Sequence, residues 1–226
     1  MAAAISYASA GVGCQYERVS MPTRVYGGRT ADDRRAERRE RLIAAALDIW
    51  GEQGWAAVSM RGVCAAAGLT DRYFYESFAD RDSLLLAVWD ETLDDLIATV
   101  LSAMSTAPPK PRPQVRAALA AVVHTVAEDP RQARIGFGEH AGSAVLEKRR
   151  HEAIQTFATI MVQQSRSWQG VVATEDTVLR INALIAVGGL AELMTSWLAG
   201  SLPMDADELI ERATDAAVPL IAGRRR

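Results

Sequence analysis

Apolar residues recur three and four positions apart along most of the chain, the spacing of helices that bury one face. Leu42, Ile43, Ala46, Leu47 and Trp50 trace such a face over 33–53, which Gly51 and Gly54 bring to an end. Leu85, Val88, Trp89, Leu93, Leu96, Ile97, Val100, Leu101 and Met104 trace a wider one over 80–104. At ~1.5 Å per residue that second helix is about 37 Å long and links the two ends of the molecule rigidly. The same spacing predicts helices over 114–127, 130–140, 143–168, 174–199 and 205–222. Between 107 and 113, Pro108, Pro109, Pro111 and Pro113 predict a loop, because proline removes a helical N–H and clashes with the preceding turn. The glycines at 136, 138 and 142 predict a bent, pliable middle segment. No apolar run reaches the roughly 20 residues that a bilayer span needs. The pattern predicts an all-α fold, with a small N-terminal three-helix unit, a larger helical domain behind it, and about nine helices in total.

The stretch 58–78 organises the N-terminal unit. Ser59 is placed to cap a short helix, Ala65, Ala66 and Ala67 give it a small-residue face, and Gly68 can take the left-handed backbone that stops it. Leu69 supplies an apolar plug, and Thr70 is placed to accept hydrogen bonds from the next helix's unpaired N–H groups. Two short helices about a tight turn form a helix-turn-helix. In its second helix Phe74 and Phe78 share a face, leaving Asp71, Arg72, Tyr73, Glu76 and Ser77 largely on the others. Thr70, Asp71, Arg72 and Tyr73 occupy the first turn, the part of a recognition helix that meets base edges and phosphates. Arg72 suits guanine O6 and N7, or else pairs with Asp71 or Glu76; Tyr73 suits a thymine methyl or a phosphate, or else packs half-buried.

Composition sharpens this picture in three places. With 226 residues, 49% of them hydrophobic, the chain can bury one substantial core beside a smaller one. The net charge of −3 argues against indiscriminate polyanion binding, yet residues 24–81 carry ten Arg against nine acids, whereas 82–226 carry fourteen basic residues against eighteen acids. Arg34, Arg35, Arg38, Arg39 and Arg41, broken by Glu37 and Glu40, are either a solvated helix start laced with i,i+4 pairs or a phosphate-facing patch. Residues 1–30, rich in Ala, Ser and Gly, are expected to be a mobile tail; Met21 is a possible internal start, and Arg24 and Arg29 resemble the basic arms that enter a minor groove. Arg224, Arg225 and Arg226 are expected to fray. The first twenty residues carry no basic cluster ahead of an apolar core, so no secretory signal is expected. Cys14 and Cys64, fifty residues apart, fit a reduced, cytoplasmic protein.

Catalytic chemistry finds little support. Gly136-Phe137-Gly138 is too short for a phosphate loop, and there is no nucleophile elbow, zinc-type His–Glu pair or Cys pair. His124, His140 and His151 have no partner cluster. No catalytic residue, metal or cofactor is expected.

The run from Ser59 to Val88 resembles the TetR family of transcriptional regulators, through Ser59, Met60, Arg61, Ala65 to Gly68, Thr70, Phe74, Tyr75, Phe78, Asp80, Arg81, Asp82, Leu84 and Leu85. The resemblance implies that Ser59 and Arg61 contact phosphate, that Thr70, Asp71, Arg72 and Tyr73 face the groove, that Tyr75 bridges core and phosphate, and that Arg81 meets the DNA backbone. Arg72 and Tyr73 are larger than the residues common there, so the operator preference should be this chain's own. The resemblance also implies a division into a tail at 1–30, a DNA-binding domain at 31–80 and an effector-binding and dimerisation domain at 81–226.

For that last domain it implies an effector pocket. Trp89, Phe137, Phe157, Ile160, Met161 and Trp168 are available as walls, and His140, Asn182 and Glu192 as polar anchors. Ile181, Leu184, Ile185, Gly188 and Gly189 on one late helix, with Leu209, Ala213, Ala217 and Leu220 on the last, are expected to form a four-helix interface in a homodimer; the alternative is intrachain packing in a monomer. The expected partners are therefore a double-stranded DNA operator, a small-molecule effector and a second copy of the chain, with no membrane. The expected activity is ligand-responsive regulation, as a repressor that releases its operator when a small lipophilic effector binds. The competing readings are a small all-helical cytoplasmic enzyme and a dimeric adaptor with a hydrophobic pocket.

Overall fold

A computed structural model describes residues 30–138, 140–168 and 175–222. Among these, nine α-helices and one 3-10 turn, Trp55–Ala57, account for all the regular structure. The helices are α1 (Ala31–Gln53), α2 (Met60–Ala67), α3 (Asp71–Ser77), α4 (Arg81–Thr106), α5 (Pro111–Glu128), α6 (Pro130–Phe137), α7 (Ala144–Ser165), α8 (Asp176–Leu198) and α9 (Ala206–Ile221). The basic tail residues Arg24, Arg29 and Arg224 to Arg226 lie outside the described residues, as do Cys14 and Met21.

Caps set the boundaries. Thr30 closes a capping box with Asp33, its hydroxyl accepting from the Asp33 N–H at 3.1 Å while the Asp33 carboxylate accepts from the Thr30 N–H at 2.7 Å. Asp80 does the same for α4, accepting from the Ser83 N–H at 2.7 Å. Two expectations are corrected. Pro111 and Pro113 lie in the first turn of α5 rather than in a loop, because N–H groups there have no intrahelical acceptor and proline loses nothing by lacking one. Helix α6 stops at Phe137, not at residue 140, since Gly138 turns to extended backbone and a Cβ there would meet the Arg134 carbonyl oxygen at 2.2 Å.

Two apolar cores result. The first gathers Leu42 and Trp50 of α1, Val63 of α2, Phe74 of α3 and Leu84, Leu85 and Val88 of α4, and it also takes in Ile135 and Leu146 from α6 and α7. The second runs through α4, α5, α6, α8 and α9, around Met104, Val122, Met194, Leu209 and Ile210. Helix α4 belongs to both.

The cores join where α6 lies on the C-terminal half of α1. Arg131 of α6 reaches the Asp48 carboxylate at 2.6 Å, and Arg134 donates to the Glu52 carbonyl. Gly51 allows the approach, because a Cβ there would sit 2.4 Å from the Arg131 Cβ and 3.0 Å from its Cα. Beside this contact His140 is buried edge-on to Trp89, 4.9 Å away between ring centroids, and to Trp50 at 6.1 Å. Its Nε2 is 2.8 Å from the Ile135 carbonyl and so carries the proton, which leaves Nδ1 as a buried acceptor without a protein partner. Burial pushes the imidazole pKa below its ordinary value, and the positive charge of Arg150 pushes it the same way.

Among the described residues α8 alone is long and apolar enough, by length and composition, to cross a membrane, although Arg180 and Glu192 interrupt its apolar run. Much of its apolar surface faces outward, with Val178, Ile181, Ile185 and Leu198 exposed.

An interior Gly→Ala change on a helix ordinarily stabilises it by up to about 1 kcal/mol. At Gly51 the sign should reverse, with a loss of about 1–3 kcal/mol from overpacking against Arg131, read as a lower urea midpoint. The folded His140 holds its proton less tightly than the unfolded chain does, so its contribution to stability is complete above the ordinary value of 6.5 and is lost as pH falls below it. The urea midpoint should drop between about pH 7.5 and about pH 5.5, and His140→Gln, which cannot titrate, should drop less over the same span.

Candidate nucleic-acid interface and effector cavity

Helix α2 begins at Ser59, whose hydroxyl accepts from the Gly62 N–H at 3.2 Å, and ends at Gly68 in the left-handed conformation, φ 62° and ψ 38°. The Leu69 N–H returns to the Cys64 carbonyl at 2.9 Å, and the Arg41 guanidinium of α1 donates to the Ala67 carbonyl, so the last carbonyls of α2 are satisfied from both sides. Cys64 is buried, as its place on the helix suggests, and burial raises its thiol pKa. Thr70 occupies the cap position of α3, but its hydroxyl makes no capping bond; its carbonyl accepts from the Tyr73 N–H at 2.9 Å instead.

Phe74 is fully buried and anchors α3, with Phe78 5.8 Å away between ring centroids. Thr70, Asp71 and Arg72 are exposed, as are Ser59 and Arg61 at the start of α2, and Tyr75 is 61% exposed. Tyr73 is half-buried beneath Arg38, whose guanidinium lies 4.5 Å from the ring centroid. Arg38 also pairs with Glu76 at 3.3 Å, and Glu76 pairs with Arg72 at 3.1 Å. Of the two partners open to Arg72, Glu76 is the one it meets and Asp71 is not. The Arg72 side chain is nevertheless 84% exposed, and an exposed i,i+4 pair contributes only about 0.3–0.5 kcal/mol, less than the ~1–3 kcal/mol of a bidentate base contact.

Three arginines of the α1 run take a course of their own. Arg38, Arg39 and Arg41 reach across to other helices: Arg38 to α3, Arg39 to Glu91 of α4 at 3.1 Å, and Arg41 to the end of α2. Arg81, expected at a phosphate, is turned onto its own chain. Its Nε donates to the Val58 carbonyl at 2.6 Å, its Nη2 donates to the Trp55 carbonyl at 2.5 Å, and it stacks over the Trp55 ring at 5.2 Å. That holds the strand of chain entering α2 against the start of α4.

Behind this module a cavity of about 440 Å3, within the ordinary range for small-molecule sites, is lined by α4 to α9 and opens partly to solvent beside Ile185. Trp89, Phe137, Phe157, Ile160 and Met161 line it. The three expected anchors do not: His140 is packed between the tryptophans, Asn182 is half-buried away from the lining, and Glu192 is exposed. Trp168 is also absent from the wall; its indole N–H donates to Gln114 Oε1 at 2.6 Å, and the Gln114 amide donates to the Met104 carbonyl at 3.3 Å. Lining residues that sequence reasoning missed include Thr92, Thr125, Gln132 and Arg150.

The residues expected at a dimer interface divide. On α8, Ile181 and Ile185 are 52% and 54% exposed, Gly189 is exposed, and Leu184 and Gly188 are half-buried. On α9, Leu209 and Ala213 are buried, and Ala213, Ala217 and Leu220 line the cavity. The apolar face of α9 is spent on its own chain, chiefly against α5.

The sequence pattern of the family described as bacterial regulatory proteins, tetR family, matches residues 42–88, from the middle of α1 into α4. The chain is similar to the HTH-type transcriptional activator FasR of Mycolicibacterium smegmatis, 28% identical over 184 residues that make up 78% of this chain and 80% of FasR. It is similar to the HTH-type transcriptional regulator AcrR of Shigella flexneri, 24% identical over 171 residues, 72% of this chain and 79% of AcrR. Its fold resembles that of the transcriptional regulator FadR from Bacillus subtilis in complex with stearoyl-CoA, with a TM-score of 0.63 and 16% identity over 82% of this chain and 99% of that one. Residues 42–88 thus carry the helix-turn-helix pattern of the tetR family of bacterial regulatory proteins, and two named transcriptional regulators align with most of the chain.

Proposed function

We propose that the protein is a homodimeric repressor that leaves its operator when a small lipophilic molecule occupies the cavity. The observation that carries this reading is the shared wall: Trp89 and Ile135 line the cavity and also pack in the core that seats α3. The FadR structure bound to stearoyl-CoA supports a lipophilic occupant. In this reading residues 31–80 form the DNA-binding domain and 81–226 the effector and dimerisation domain.

Thr70, Asp71, Arg72 and Tyr73 enter the major groove, and Ser59, Arg61 and Tyr75 meet phosphates on either side, as their exposure allows. The exposed face of α8 packs on the same face of a second copy, which buries Val178, Ile181 and Ile185. A twofold dimer sets its recognition helices about 34–36 Å apart, one turn of DNA. The effector acts by preferring one arrangement of the dimer, with a coupling of order 1–3 kcal/mol. A second reading, activation rather than repression, is favoured by the likeness to FasR, a named activator.

In a mobility-shift assay on the DNA flanking its own coding sequence, the protein should retard the fragment at low salt and lose affinity steeply as salt rises. No shift at low salt would overturn the reading, and the direction of change in a reporter on deletion separates repressor from activator. Arg72→Ala should change which bases are preferred and leave stability intact, whereas Arg81→Ala should lower stability by about 2 kcal/mol through its two lost carbonyl contacts. Light scattering after gel filtration should return about twice the 24.5 kDa of one chain. Ile185→Arg, which places a charge on the exposed face of α8, should return the single-chain mass.

A further inference from the structure

The cavity wall is apolar except at Thr92, Thr125, Gln132 and Arg150. Two of these are occupied. The Thr92 hydroxyl donates to the Val88 carbonyl at 2.9 Å, and the Gln132 side chain lies toward the Asp129 carboxylate, whose pKa it helps to lower. Arg150 is the one charged residue of the lining, and among the described residues it has no carboxylate partner. Its neighbours on α7 are paired: Arg149 with Asp90 at 3.0 Å and Glu152 at 2.9 Å, and Lys148 with Glu152 at 3.6 Å. A half-buried guanidinium against an apolar wall is costly unless an anion meets it.

The cavity also has a direction. Helices α4 and α5 run antiparallel from their connection at 107–110, where Met104 lies against Gln114. Val100, Met104, Val115 and Leu119 therefore mark one end, which carries no polar residue. Thr92, Thr125, Gln132 and Arg150 gather toward the other, beside Trp89 and α6.

Resting on the reading of this cavity as the effector site, we propose that the effector is an anionic amphipath, an acyl or alkyl chain whose carboxylate or phosphate head is held by Arg150. The chain runs toward the α4–α5 connection, and the head sits at the α6 end, one residue along α6 from the Arg131 that grips α1. No acid lines the cavity, so a cationic amphipath has no counter-charge, and a neutral one leaves Arg150 unpaired. Each methylene added to the chain should tighten binding about fourfold until the apolar end is filled.

The probes are dodecanoate, dodecyl phosphate, dodecanol and dodecyltrimethylammonium, titrated below their micellar concentrations and read by calorimetry and by the protein's tryptophan fluorescence, to which Trp89 in the wall contributes. Both anions should bind at least tenfold more tightly than dodecanol, and a difference between them tells a free carboxylate from a phosphorylated head. Arg150→Ala should remove that advantage and leave dodecanol binding unchanged, which also shows that the cavity is intact; Arg150→Lys should restore most of it. Equal binding of dodecanol and dodecanoate by the unaltered protein, or equal weakening of all four probes by Arg150→Ala, would overturn the proposal. Absence of binding by any probe would overturn the lipophilic-effector reading itself.

Discussion

The close approach of α6 to α1 is the contact on which the rest of the molecule turns. Without a side chain at Gly51 the two helices meet backbone to side-chain stem, and Arg131 and Arg134 then find Asp48 and the Glu52 carbonyl. From α1 the contact passes on through Arg38 to α3 and Arg41 to the end of α2. The recognition helix is thus fastened to the same helix that α6 leans on. Ile135, one turn along α6 from Arg131, packs in the first core and also lines the cavity. One short helix thus touches both the helix-turn-helix unit, through α1, and the cavity.

Electrostatics divides the arginines by role. A chain with a net charge of −3 does not attract DNA by bulk field, so local placement decides. Arg38, Arg39, Arg41 and Arg81 are committed to carboxylates and carbonyls of their own chain, Arg81 through two directed bonds. Arg61 and Arg72 stay exposed beside the turn. The first group makes the module stiff; the second is what a polyanion can reach.

Much of this fold was legible in the sequence because helices announce themselves by spacing and capping residues. Asp80, Ser59 and Gly68 each do locally what their chemistry suggests. What remained hidden depends on partners far away in the chain. Arg81 bonds to backbone carbonyls, which every residue has and which therefore leave no trace in a pattern. His140 looks like a polar pocket residue but is enclosed by Trp50 and Trp89, an enclosure that only the packing of α1 on α4 creates. The wall residues of the cavity were readable as apolar helix faces, yet Arg150 was not, since a surface arginine and a cavity arginine have the same local sequence. The last helix shows the reverse error: an apolar stripe predicts burial correctly but not whose surface buries it, and Leu209 and Ala213 are covered by their own chain.

That ambiguity sharpens at α8. Its exposed Val178, Ile181 and Ile185 cannot be covered by α9, whose apolar face is already taken by α5 and the cavity. A second copy meeting α8 lies against the same helix that supplies Ile185, Gly189 and Leu190 to the cavity wall. In the proposed dimer an occupant of the cavity therefore presses on two boundaries, α8 at the subunit face and α6 beside the helix-turn-helix. A coupling of order 1–3 kcal/mol is enough to shift affinity about tenfold or more. Exposed ion pairs such as Arg131 with Asp48 contribute little individually and can rearrange at that scale, whereas the buried Trp50–Trp89 contact cannot. The arginine clasp of α6 is accordingly the weaker part of the junction, and the buried tryptophan pair the stronger.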